Sequence, residues 1–157
     1  MTAPTPPDPP VAVSPLTPDR LEAHLAGRGF HVARDSDGDL TGRWDQHRFW
    51  FFLVGDGGTI LQIRGRGGRT LDPAHRAAVL LAMNDWNRDR IWPKCYLREE
   101  EGRLACYTEV SVPLRVGVTE AQLSMIVDCG LGSGLRFLAS LPEHLLDRLA
   151  TETDGEG

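Results

Sequence analysis

The sequence predicts an α+β domain: an antiparallel five-stranded sheet with three main helices, in the order α-β-β-β-α-β-β-α, the helices lying mostly on one face. Two observations carry this. Strand-like runs follow one another between residues 40 and 64 and between residues 94 and 112, separated by turn residues, so neighbours in sequence can pair as hairpins. Apolar residues recur at helical spacing over residues 74–86 and 123–138. Nothing alternates in the way that would demand a parallel sheet. The length of 157 residues fits one domain. A hydrophobic content of 41% and a charged content of 25% are those of an ordinary globular chain.

Taken in order, residues 1–16 hold six of the eleven prolines and almost no large side chains. This composition predicts a disordered Pro-rich tail that leans toward polyproline. Thr17 can cap the first helix, Pro18 suits its first position, and Leu16 can staple onto Leu21. The helix should stop near Gly27 or Gly29. Residues 30–34 alternate like a strand, and residues 35–39 form an acidic turn. That turn resembles the start of a calcium loop, but Leu40 and Gln46 stand where such a loop needs Gly and Glu.

Residues 40–45, 47–54 and 59–64 read as successive strands. The middle one is apolar on both sides: Phe49, Phe51 and Leu53 point one way, Trp50, Phe52 and Val54 the other. Both faces therefore call for cover, by helices on one side and by a partner, a second copy or a folded-back segment on the other. Residues 65–70 read as a Gly/Arg loop leading to the second helix, which Leu71, Asp72 and Pro73 begin. That helix must end before Trp92, because the residue ahead of a proline avoids the helical region. Residues 94–98 and 103–112 form a hairpin around residues 99–102. Thr119 and Gln122 can make a capping box for the last helix, which Pro142 ends or restarts with a short turn to Leu149. An acidic, disordered tail closes the chain over residues 150–157, leaving 17–149 as the single domain.

Several groupings could carry function. Arg64, Arg66 and Arg69, interleaved with Gly65, Gly67 and Gly68, could hold an anion ahead of a helix N-terminus, or simply connect two elements. Asn84 and Asn87 share a helix face. They could recognise a ligand, but the reading adopted is that their amides satisfy backbone groups where the helix ends. Trp86 and Trp92 read as packing anchors. Gly130 and Gly134 fall on one helical face, which permits either a close approach to another element or a break in the helix. Cys95, Cys106 and Cys129 are odd in number and scattered, so they are expected to be reduced. The five histidines form no metal-ligand motif, and no Ser, Cys or Lys stands in a nucleophile motif. No cofactor is expected.

The sequence resembles the YbjN family, especially its actinobacterial members. The resemblance rests on Trp44-Asp45, the strand over 49–54, residues 61–65, the stretch 84–97 and residues 116–123, and it covers roughly residues 17–141. Its most specific element joins Asn84, Trp86 and Asn87 to Trp92, Pro93 and Lys94. The resemblance implies a fold similar to type III secretion chaperones, an α+β domain that often dimerises, and a sensory or regulatory role without catalytic residues. The resulting expectation is a non-enzymatic, cytoplasmic, homodimeric protein-binding domain. Its interface would use Trp50, Phe51, Phe52, Gly130 and Gly134. A small-anion or nucleotide sensor using residues 64–70 is the alternative. The net charge of −5 and the lack of a long apolar run argue against nucleic acid and membrane as partners.

Overall fold

Strands drawn from residues 32–113, most of them alternating between apolar and polar side chains, build one continuous antiparallel sheet. The computed structural model describes residues 11–154. Helix α1 (Pro18–Gly27) is followed by strands β1 (Val32–Arg34), β2 (Leu40–Trp44), β3 (His47–Val54) and β4 (Ile60–Leu71). Helix α2 (Arg76–Asp89), the hairpin β5 (Lys94–Glu100) and β6 (Arg103–Pro113), and helix α3 (Glu120–Asp154) complete the fold. The strands lie in the order β1-β2-β3-β4-β6-β5.

The sheet has six strands, not five, with four before α2. The additional strand, β1, is three residues long and pairs Val32, Ala33 and Arg34 with Gly42, Thr41 and Leu40. It falls within residues 30–34, which alternate like a strand in the sequence but lie outside the five expected strands. A second correction concerns residues 65–70. They are not a loop: β4 runs on through them to Leu71, with a bulge between Arg66 and Thr70 where it pairs with β6. The glycines there serve close approach, since a Cβ at Gly65 would stand 2.5 Å from Phe49 Cε1 and one at Gly68 2.1 Å from the Gln46 carbonyl oxygen.

The helices cover one face of the sheet. Phe49, Phe51, Leu61, Ile63 and Cys106 meet Leu25, Val79, Trp86, Val127 and Phe137 in a single buried cluster. The glycine-rich part of α3 is unbroken and lies against the sheet. A Cβ at Gly130 would meet Ile63, and one at Gly134 would meet Phe49 and Thr108. Pro142 neither ends nor restarts the helix, which continues through it to Asp154 and so takes in residues 150–154 of the expected acidic tail.

At the other end, Ser14 bridges to Val118, and Arg20 donates to the carbonyls of Ser14 and Pro15 at 2.7 and 3.2 Å. Ser14 and Pro15, inside the expected tail, are thus tied to the rest of the fold. The expectations for residues 1–10 and 155–157 lie outside the described residues. Among the described residues, no helix is long and apolar enough to cross a membrane.

Local capping follows the sequence closely. Thr17 Oγ1 accepts from the Arg20 amide, and the Thr119–Gln122 capping box closes in both directions. The β5–β6 turn is tighter than residues 99–102, because Glu101 and Gly102 alone span it, both with positive φ. Asn87 ties the end of α2 to β5, its amide nitrogen donating to the Cys95 carbonyl at 3.1 Å and its oxygen accepting from the Cys95 N–H at 2.9 Å. Asn87→Ala removes both bonds. A loss of about 2 kcal/mol is expected in urea unfolding, at roughly 1 kcal/mol per bond; an unchanged midpoint would remove Asn87 from this role.

Candidate functional site

The sheet face opposite the helices carries a set of side chains fixed by strand register. One row runs Arg43, Arg48, Arg66 across β2, β3 and β4, then Tyr107 and Tyr96 on β6 and β5. The next runs Thr41, Trp50, Arg64, Glu109, Lys94. Like charges set directly opposite one another in a sheet repel, and three of the four arginines are each held in their own way. Arg66 Nη2 lies 2.6 Å from Glu100 Oε2. Arg48 Nε donates to Thr41 Oγ1 at 3.0 Å, with its guanidinium 4.9 Å from the Trp50 ring centre. Arg64 stacks over Phe52 at 5.0 Å and donates to Gln62 at 2.7 Å. Arg43 is exposed and has no carboxylate partner among the described residues.

Two carboxylates neutralise part of this charge. Glu100 accepts from Arg66 and from the Tyr107 hydroxyl, and these bonds hold its carboxyl below the usual range. Glu109 is buried, which alone would raise its pKa. Lys94 at 2.6 Å, together with Arg64 and the Tyr96 hydroxyl, outweighs that and keeps it ionised. Tyr96 and Tyr107 stack at 5.4 Å with an interplanar angle of 11°. Burial pushes the Tyr96 phenol up to about 12. Arg43, Arg48, Arg64, Arg66, Lys94 and Arg98 thus share this face with Glu100 and Glu109, and Arg64 and Arg98 also border the acidic turn of Asp35, Asp37 and Asp39, on a chain whose net charge is −5.

The face is hollowed rather than flat. Arg43, Arg48, Trp50, Arg66, Glu100 and Tyr107 line a cleft of about 430 Å³. A second hollow of about 200 Å³ lies between Trp50, Phe52, Arg64 and Arg98 and the acidic turn of Asp35, Asp37 and Asp39. In that turn Asp35 Oδ1 accepts the amides of Asp37 and Asp39 at 3.0 Å. Burial, then the Asp35 and Asp37 charges, raise the pKa of Asp39.

The residues singled out from the sequence are divided by the fold. Trp50 and Phe52 lie half-buried on the open face, whereas Phe51 is 2% exposed in the core and Gly130 and Gly134 are spent on the helix–sheet contact. Of the proposed anion set, Arg64 and Arg66 project onto the open face and are engaged there. Arg69 follows the bulge and lines a different cavity with Leu71 and Leu138. Asn84 is exposed. Trp86 packs edge-on to Phe137 at 5.1 Å, Trp92 is 44% exposed, and Pro93 is buried. Cys95 and Cys106 are buried and free but not opposite one another, since Cys95 pairs with Thr108 and Leu97 with Cys106. Burial pushes both thiols up to about 12.

Arg43 and Arg48 were not singled out from the sequence. The signal for Arg48 is its period-two spacing from Trp50 and Phe52. Arg43 joins it only through the register across the Asp45–Gln46 turn.

His47 is tied to the same β4 bulge. Its Nδ1 accepts from the Gly68 amide at 3.1 Å, and burial, against the opposing pull of Asp45, lowers its pKa. The unfolded chain takes up a proton near pH 6.5 that the native state refuses. Stability is therefore full above that pH and falls as the pH drops toward the native pKa. Urea unfolding at pH 7.5 and 5.5 should show this fall, with a slope of at most about 1.4 kcal/mol per pH unit. His47→Gln should flatten it; an equal slope in wild type and variant would contradict the assignment.

The family model for YbjN, described as "Putative bacterial sensory transduction regulator", matches residues 17–143. The crystal structure described as "YbjN, a putative transcription regulator from E. coli" superposes with a TM-score of 0.69 at 14% identity, covering 82% of this chain and 94% of that one. An uncharacterised protein from Methanothermobacter thermautotrophicus superposes with a TM-score of 0.53 at 13% identity, covering 83% and 99%. At these identities the likeness is one of fold. No curated protein matches the sequence.

Proposed function

Because the chain belongs to the YbjN family, whose described role is regulatory, we propose that it is a non-enzymatic regulatory domain that docks an extended acidic segment of another protein on the arginine–aromatic face of its sheet. The observation that carries this reading is the row Arg43, Arg48, Arg66, set beside Trp50 and ending on Tyr107. Arginine and aromatic side chains are the residues that anchor protein interfaces. The row spans three strands, about 10 Å, which suits two or three carboxylates better than a nucleic-acid backbone. The nearby Asp35, Asp37 and Asp39 would repel a longer polyanion.

A two-fold contact whose axis passed through this row would set Arg43 and Arg48 of one copy near the same residues of the other. A partner of opposite charge fits better than a second copy. The chaperone-like character implied by the resemblance is consistent with a protein client.

The test is fluorescence anisotropy with a labelled twelve-residue peptide that alternates Glu with Leu or Phe. Saturable binding should appear at low salt and weaken as salt screens it. The same peptide with Lys for Glu should not bind. Equal binding of both peptides, or preferential binding of single-stranded RNA or duplex DNA, would overturn the reading.

A further inference from the structure

The β4 bulge has a second side. Between it and the 138–145 turns of α3 lies a cavity of about 380 Å³, within the roughly 300–1,000 Å³ range of small-molecule sites. Its walls are apolar: Leu71 on β4, and Leu138, Leu141 and Leu145 on α3. Four polar side chains interrupt them: Gln46, His47, Arg69 and His75. Arg69 is exposed and has no hydrogen-bonding or ion-pair partner among the described residues, although Arg66, three positions earlier, is fully engaged by Glu100.

His47 lines the same space and is 8% exposed. Its Nδ1 is committed to the Gly68 amide, so the neutral ring carries its proton on Nε2, a donor with no partner among the described residues. The buried, unpartnered side-chain nitrogens and oxygens of the described residues include only Trp86 Nε1. His47 Nε2 is therefore open to the cavity it borders.

We propose that this cavity is a binding site for a small amphipathic acid, an apolar chain of roughly eight to twelve carbons ended by a carboxylate. The leucine walls take the chain. The Arg69 guanidinium and the His47 Nε2–H are both donors, and an ionised carboxylate, which only accepts, complements them. An alcohol of the same length would occupy the walls without using the charge of Arg69. A cationic amphiphile would oppose it. Burial holds the Cys106 thiol in the wall protonated at neutral pH.

Isothermal titration of the full chain with decanoate and decyltrimethylammonium below their micellar concentrations, and with decanol below its solubility limit, tests this. Decanoate should bind with one-to-one stoichiometry and at least tenfold tighter than decanol, and the cation should not bind. Arg69→Gln, at an exposed position, should weaken decanoate about tenfold and leave decanol unchanged. Leu71→Trp, which fills the cavity from a half-buried wall, should abolish binding of both. The proposal is overturned if decanoate and decanol bind alike to wild type, if neither binds, or if Arg69→Gln weakens both ligands equally. Decyl phosphate in place of decanoate separates a carboxylate site from a general anion site. Binding of the phosphate tenfold tighter than decanoate would overturn the assignment of a carboxylate.

Discussion

Gly130→Val is expected to destabilise the protein by about 3 kcal/mol, seen as a fall in melting temperature of roughly 6–12 °C. The introduced Cβ would stand 2.6 Å from Ile63 Cδ1, 2.9 Å from Ile63 Cβ and 3.0 Å from Ile63 Cγ2. The first of these atoms can swing aside. The Cβ of Ile63 cannot, because it is rooted in β4, so the helix must lift from the sheet. Lifting it also loosens the contacts that Phe137 and Leu131 make in the core.

Gly132→Ala is the internal control, because only the tip of Arg136 lies within 4 Å of its Cβ position, at 3.8 Å. It should stabilise the helix by up to about 1 kcal/mol through propensity alone. If Gly130→Val and Gly132→Ala moved the melting temperature alike, the glycines would not mark the contact between α3 and the sheet.

The larger functional effect is expected from Arg43→Glu combined with Arg48→Glu. Neither side chain has a carboxylate partner among the described residues, so reversing them breaks no ion pair. Affinity for the acidic peptide should fall about a hundredfold at low salt, or roughly 2.7 kcal/mol. Urea unfolding should show a much smaller change, because Arg43 is exposed and Arg48 loses only its stack on Trp50 and one bond to Thr41. Arg66→Glu is a poorer probe. It leaves Glu100 facing a like charge and confounds binding with stability.

Much of the fold was legible in the sequence because its signals are local. The Thr17 cap, the Thr119–Gln122 box and the alternation through Phe49–Val54 each depend on residues a few positions apart, and each predicted its element. The bulged end of β4 was hidden for a physical reason. Gly65, Gly67 and Gly68 have the composition of a loop, and only the presence of Phe49, Thr108, Gln46 and Leu138 against their Cα atoms explains why glycine stands in a strand. The continuity of α3 through Gly130, Gly134 and Pro142 is similarly a matter of tertiary contact overriding propensity.

The candidate face was half legible. The outward set Trp50, Phe52 and Val54 was visible as a strand that needs cover. What covers it was not: the arginines come from β3 itself, from β2 and from β4, and register rather than sequence proximity assembles them.

The most direct measurement is amide chemical-shift mapping of the isotopically labelled protein titrated with the Glu-alternating peptide. The account predicts that the largest shifts cluster on residues 41–43, 48–52, 64–66 and 107, and that they disappear in the Arg43→Glu/Arg48→Glu variant. Shifts centred on the helices α2 and α3, with the open face of the sheet unmoved, would contradict it.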